Sequence, residues 1–194
     1  FSCTPNKTLL ALPPVAGTLT RGLARSARIL AHVLAPQSLV LGPWRHMQHS
    51  KKLFELASRI ARETDGFFTT KGPGAGNYST NQFIAEIRDQ AASLFGSDYS
   101  EQKICGNNSM AVDFYFPDEA TIVEIALGLK NPNTEFEKDI LKALMARSLG
   151  NKVKKLVFIC KPGGQKKSKQ PGRSAMIDWL ENHNGLSVEV WDLE

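Results

Sequence analysis

Apolar positions along the chain fall first into helical, then into strand periodicity. Residues 50–64 carry Leu53, Phe54, Leu56, Ala57, Ile60 and Ala61 at helical spacing, which predicts one amphipathic helix ended by Asp65-Gly66. In residues 80–95 the positions Phe83, Ile84, Ile87, Ala91, Leu94 and Phe95 make a stripe about 120° wide, the pattern of a helix lying on a core, with Glu86 at its edge. The run KGPGAGNYS between them predicts an irregular entry loop with Asn77, Ser79 and Thr80 available as caps. It lacks both the GxxxxGK(S/T) spacing and the preceding strand of a nucleotide-binding loop.

The period then shortens to two. Residues 100–105, 109–116 and 120–129 predict three successive strands, separated by Gly106-Asn107-Asn108 and by Pro117-Asp118-Glu119. A helix over 134–149 opens with Thr134 and Glu137 at capping-box spacing, behind Pro132, and offers Phe136, Ile140, Leu141 and Leu144 as its apolar face. KLVFIC, 155–160, reads as a strand buried on both faces. A loop with Lys161, Lys166, Lys167, Lys169 and Arg173 and no acid follows, then a helix over 173–182 and a strand over 186–193. This order predicts a single mixed-sheet α/β domain with helices on both faces.

Composition alters this picture mainly at the N-terminus. The 194 residues, 42% hydrophobic, suffice for one soluble core, and no run approaches the roughly 18 apolar residues of a membrane span. Net charge is +5, yet seven of the 24 basic residues and none of the 19 acids precede residue 53, so the remainder is slightly acidic. Residues 1–47 therefore read as a leader outside the fold, and 48–194 as the domain. The acid-free, Arg-bearing leader has the composition of a transit peptide, and equally of an unfolded or foreign extension ahead of Met47. Cys3, Cys105 and Cys160 make an odd count without CxxC spacing, which predicts reduced thiols, disfavours structural zinc and points to a cytoplasmic setting, or an organelle if the leader is a true transit signal. Three of the four histidines, His32, His46 and His49, fall before residue 50, so a histidine-based metal cage or triad would have to be built around His183 alone.

The clearest chemical signal is a pair of acids inside apolar strands. A turn that places Phe116 opposite Thr121 also places Asp113 opposite Glu124. Directly opposed side chains share a face with Cβ atoms about 4.5–5.5 Å apart. Two unit charges about 4 Å apart repel by about 4 kcal/mol at an effective dielectric near 20. Either one carboxyl is protonated, or a cation neutralises the pair, or the register differs. A cation would give the pair a purpose, because Mg²⁺ is held by one or two carboxylates with waters and phosphate oxygens.

Strand, acidic strand, turn, glutamate-bearing strand, capped helix and strand, preceded by a helix carrying Glu86, resembles the PD-(D/E)XK nuclease superfamily across residues 81–160. The resemblance implies a restriction-endonuclease-like αβββαβ core and Mg²⁺- or Mn²⁺-dependent hydrolysis of DNA. It makes Asp113 and Glu124 metal ligands and Glu86 a further catalytic acid. DNA is the implied partner, a homodimer is compatible with it, and no membrane is involved. Val112 stands at the nominal proline, and Ala126 at the usual lysine, on the same face as Glu124. The lysine then comes from elsewhere, or another group positions the water, or the domain is a catalytically silent module that binds nucleic acid or a protein. Lys130 lies about 13 Å along the strand from Ala126, whereas Lys138, one turn into the next helix, is the better substitute. The basic loop, with Lys161, Lys166, Lys167, Lys169 and Arg173, would engage the nucleic-acid backbone. A plain α/β interaction domain is the remaining alternative.

Overall fold

A computed structural model describes residues 47–69, 75–129 and 135–194. The leader up to residue 46, Lys130, Pro132 and Thr134 lie outside the described residues. Helices α1 (His49–Glu63) and α2 (Ala75–Phe95) precede strands β1 (Ser100–Gln102), β2 (Val112–Phe116) and β3 (Thr121–Ile125). Helix α3 (Glu135–Ser148), strand β4 (Lys155–Cys160), the short α4 (Gly164–Ser168), helix α5 (Pro171–Asn184) and strand β5 (Ser187–Asp192) complete the chain. The five strands form one mixed sheet in sequence order, antiparallel from β1 to β3 and parallel from β3 to β5.

Alternation along the strands divides two cores. Phe114, Phe116, Val123, Ile125, Val157 and Ile159 face α1 and α2, where Leu53, Leu56, Ile60, Phe83 and Ile87 pack on them. Tyr115, Ile122, Ala126, Leu156, Phe158 and Cys160 face the other way, toward Phe136, Ile140 and Ala143 of α3 and Leu180 of α5. All five apolar residues after Lys155 in β4 are thus buried, as its unbroken apolar run demands. The α1 N-terminus has no side-chain cap of its own and no acid in its first turn. Glu119 supplies one from the β2–β3 turn, accepting the backbone N–H of His49 and Ser50 and the Ser50 hydroxyl.

Several boundaries move from their sequence positions for identifiable reasons. Helix α2 begins at Ala75, inside the glycine-rich run expected to be a loop; Gly76, the one glycine it takes in, costs on the order of 1 kcal/mol relative to alanine. Strand β1 stops at Gln102, with Glu101 held at φ +45° and Gly106 at +98°. Beyond Ile125, strand β3 leaves β2 but stays with β4, Ala126 N–H donating to Ile159 and Lys161 N–H to the Leu127 carbonyl. The hairpin therefore forks just past Asp113 and Glu124.

Candidate active site

The register of β2 and β3 pairs Phe114 with Val123, Tyr115 with Ile122 and Phe116 with Thr121. A four-residue connection, Pro117–Glu119 as a 3₁₀ turn plus Ala120 at φ +50°, sets it. One step further Asp113 and Glu124 meet at the fork, on the face covered by α3. Each carboxylate takes over a backbone donor that the parting strands release. Asp113 Oδ2 accepts the Ile125 N–H at 2.8 Å, and Glu124 Oε2 accepts the Asp113 N–H at 3.4 Å.

The cation that the pair requires comes from α3. Lys142 Nζ lies 2.8 Å from Glu124 Oε1 and 2.7 Å from Asp139 Oδ1, and donates to the Ala111 carbonyl at 3.0 Å. Lys142 is only 5% exposed and Glu124 only 2%. Burial, acting first, pushes the Glu124 carboxyl well above its ordinary range, and the neighbouring carboxylates of Asp139 and Asp113 push it the same way against the pull of Lys142. Asp139 is likewise raised, chiefly by burial. For Lys142, burial favours the neutral amine, but Glu124 and Asp139 together outweigh it and keep the ammonium charged.

Asp113 stands more open, its side chain 22% exposed, with Arg88 Nη2 at 3.4 Å from Oδ1. Arg88 reaches it from α2 and also pairs with Glu101 of β1 at 2.6 Å. Arg88, Glu101, Ala111, Asp113, Lys138 and Lys142 line one cleft of about 390 Å³.

The residues picked out in the sequence divide accordingly. Asp113 and Glu124 come together as their register requires. Lys138 sits exposed in the wall of the same cleft, and Lys142, one turn on, makes the contact with Glu124. Glu86 is not brought to the pair. It bonds Gln90 and lines a separate depression with Glu63 and Asp89. Residues two apart on a helix point about 200° apart, so α2 can present Arg88 or Glu86 to the hairpin, not both.

Nor do the five basic residues of the loop form one exposed patch. Arg173 is 5% exposed, inside the first turn of α5, donating to the Leu129 carbonyl at 3.2 Å and the Lys167 carbonyl at 3.3 Å. Lys161 lies over the Phe67 ring and donates to the Phe67 carbonyl. Lys166 and Lys169 are exposed and Lys167 half-buried, around the short α4, whose start is held by Asp192 through Gly163 N–H and Gln165 N–H. The thiols of Cys105 and Cys160 are free and buried, and burial raises both, Cys160 to about 12 with Asp192 adding to it.

Among the described residues no three His, Cys, Asp or Glu side chains converge to enclose a metal ion. The donor set still fits an open Mg²⁺ site, which needs one or two carboxylates with the other positions left to water and phosphate. Asp113 offers a carboxylate to the cleft, whereas Glu124 beside it is buried behind Lys142 and is not among the residues that line it.

Sequence reasoning missed Lys142, Asp139, Arg88 and Glu101. For the first two a signal existed: Asp139 and Lys142 lie on the stripe Phe136, Ile140, Ala143, Ala146 that α3 buries, as an i, i+3 pair.

Fold and site together define a mixed α/β protein with one five-stranded sheet and a charged cleft at the fork of its hairpin. No family model, curated protein or solved structure matches the chain. Among the described residues no helix is long and apolar enough to cross a membrane.

Proposed function

We propose that this chain is a metal-dependent nuclease of the PD-(D/E)XK type, hydrolysing phosphodiester bonds of DNA on a restriction-endonuclease-like αβββαβ core. One observation carries the reading. With Ala126 at the usual lysine position, a lysine from another element, Lys142, brings its ammonium 2.8 Å from Glu124 on the same side of the sheet. The order α2, β1, β2, β3, α3, β4, with β4 parallel to β3, agrees with that core.

Asp113 and Glu124 would hold Mg²⁺ or Mn²⁺, which when bound lowers the pKa of water and shields charge on the phosphate. Lys142, kept charged by Glu124 and Asp139, acts as a hydrogen-bond donor rather than a base. With its three N–H donors on Glu124, Asp139 and the Ala111 carbonyl, it acts by fixing the Glu124 carboxylate and by placing positive charge beside the acid pair. Asp139, 2.7 Å from the ammonium, helps hold it in place. Lys138, in the cleft wall, adds attraction for the backbone.

A second reading, the catalytically silent module, draws on the same ion pairs. Lys142 on Glu124 and Arg88 on Asp113 already balance the acids without a metal.

The test is incubation of plasmid and single-stranded DNA with Mg²⁺ or Mn²⁺, beside Asp113→Asn, Glu124→Gln and Lys142→Ala. The nuclease reading expects metal-dependent cleavage that all three substitutions abolish. Cleavage surviving unchanged in the variants would sink the site, and a wild type that binds DNA without cutting it would favour the silent module.

A further inference from the structure

We infer that Arg88 is the residue that takes up a substrate phosphate in the cleft, from a resting position shared between Glu101 and Asp113. The inference rests on the nucleic-acid reading above and adds to it a binding residue outside the acid pair and its lysine.

Arg88 enters the cleft from α2, a different element from either lysine there. Its guanidinium is half used. Nη1 meets Glu101 at 2.6 Å, whereas Nη2 has only a long 3.4 Å contact with Asp113 and Nε, shielded from solvent, has no partner. A guanidinium carries five donors in a rigid fork, and its Nε and Nη2 edge matches two oxygens of a phosphate. That edge is the under-bonded one. Lys142 is committed to two buried carboxylates, so it cannot leave to follow a mobile phosphate.

Glu101 supplies the second, independent observation. Its backbone sits at φ +45°, a region non-glycine residues rarely adopt. Strain of this kind persists only where surrounding contacts impose it, and it clusters at ligand sites. Here it belongs to the residue whose carboxylate grips the Nη1 end of Arg88. Arrival of a phosphodiester oxygen would replace the weak Asp113 contact, leave the Glu101 contact in place and free Asp113 toward the cleft.

The experiment measures binding of a short fluorescein-labelled single-stranded DNA by anisotropy over a series of salt concentrations, in Ca²⁺ so that the strand stays whole. Arg88→Ala is expected to weaken binding about tenfold or more. It should also flatten the slope of log affinity against log salt by about one phosphate's worth. Arg88→Lys keeps the charge but not the fork, so it should recover the slope while remaining several-fold weaker than wild type. Glu101→Gln, which loosens the resting position, should bind severalfold tighter. If Arg88→Ala fails to fold in a thermal melt, the other two variants decide. Wild-type affinity and slope in the Arg88 variants would overturn this inference alone. Absence of DNA binding by the wild-type protein itself would overturn it together with the nuclease reading.

Discussion

Lys142 and Glu124, eighteen residues apart and on different elements, form a 2.8 Å ion pair in which both side chains are almost wholly shielded from water. Such a pair contributes little net stability over an apolar substitute, but breaking it leaves a buried charge uncompensated. Lys142→Met keeps the stem and removes the ammonium, stranding Glu124 and Asp139 together. A loss of about 3–5 kcal/mol in urea unfolding is expected at neutral pH. Adding Glu124→Gln should return part of that loss, a coupling that a double-mutant cycle reads directly.

The same three groups fix a pH dependence. Glu124 and Asp139 bind their protons more tightly folded than unfolded, so from their ordinary values of 4.5 and 3.8 upward the native state holds more protons. Stability therefore falls as pH rises through that window, by at most about 1.4 kcal/mol per pH unit for each proton retained. Lys142, also raised, loses its contribution only above its ordinary value of 10.5. Urea midpoints should decline as pH rises above these ordinary values, and Glu124→Gln should flatten the decline. An unchanged slope in that variant would show that Glu124 does not titrate as its burial requires.

Much of this arrangement was legible in the sequence, and the rest failed for one recurring reason. The turn length predicted the β2–β3 register and with it the facing acids, because a one-residue slip would have turned every core side chain outward. KLVFIC marked β4 to the residue. Helix α3 was read partly right: of the expected face Phe136 and Ile140 are buried and Leu144 packs half-buried on the same core, whereas Leu141 is 49% exposed and Ala143 and Ala146 complete the buried stripe. Periodicity assumes that charge faces water. Asp139, Lys142 and Arg173 break that rule by finding partners inside, and no one-dimensional pattern records a partner on another element.

Arg173 offers a direct check of that point. Its guanidinium ties the start of α5 to the Leu129 and Lys167 carbonyls. Arg173→Ala should cost about 2–3 kcal/mol through the orphaned buried acceptors. Lys169→Ala, at an exposed position, should stay within about 0.5 kcal/mol of wild type. If DNA binding instead falls equally in both with no change in melting temperature, Arg173 belongs to the interface and not to the scaffold.

Glu119 links the hairpin turn to a helix sixty-nine residues earlier, its Oε2 2.6 Å from the Ser50 hydroxyl. Because α1 lacks any cap of its own, this carboxylate does the work of an N-cap from a distance. Glu119→Ala should lower stability by about 1–2 kcal/mol. Calorimetric melting would read the loss, and hydrogen exchange should place it in the first turn of α1.

The position of the lysine itself can be tested by moving it. Ala126 and Glu124 share the α3-facing side of the sheet, about 7 Å apart along the strand. Ala126→Lys alone forces a long side chain among Phe136, Ile140 and Ala143, and should cost about 1–3 kcal/mol by overpacking. Lys142→Ala vacates space and removes the cation on the same side. If one ammonium per site is what Glu124 requires, the two changes together should be less harmful than their sum, by about 1–3 kcal/mol in unfolding. Cleavage lost in Lys142→Ala should return in the double variant. Simple additivity, with cleavage still absent, would mean that the lysine of α3 serves the packing of this helix and not the chemistry of the acid pair.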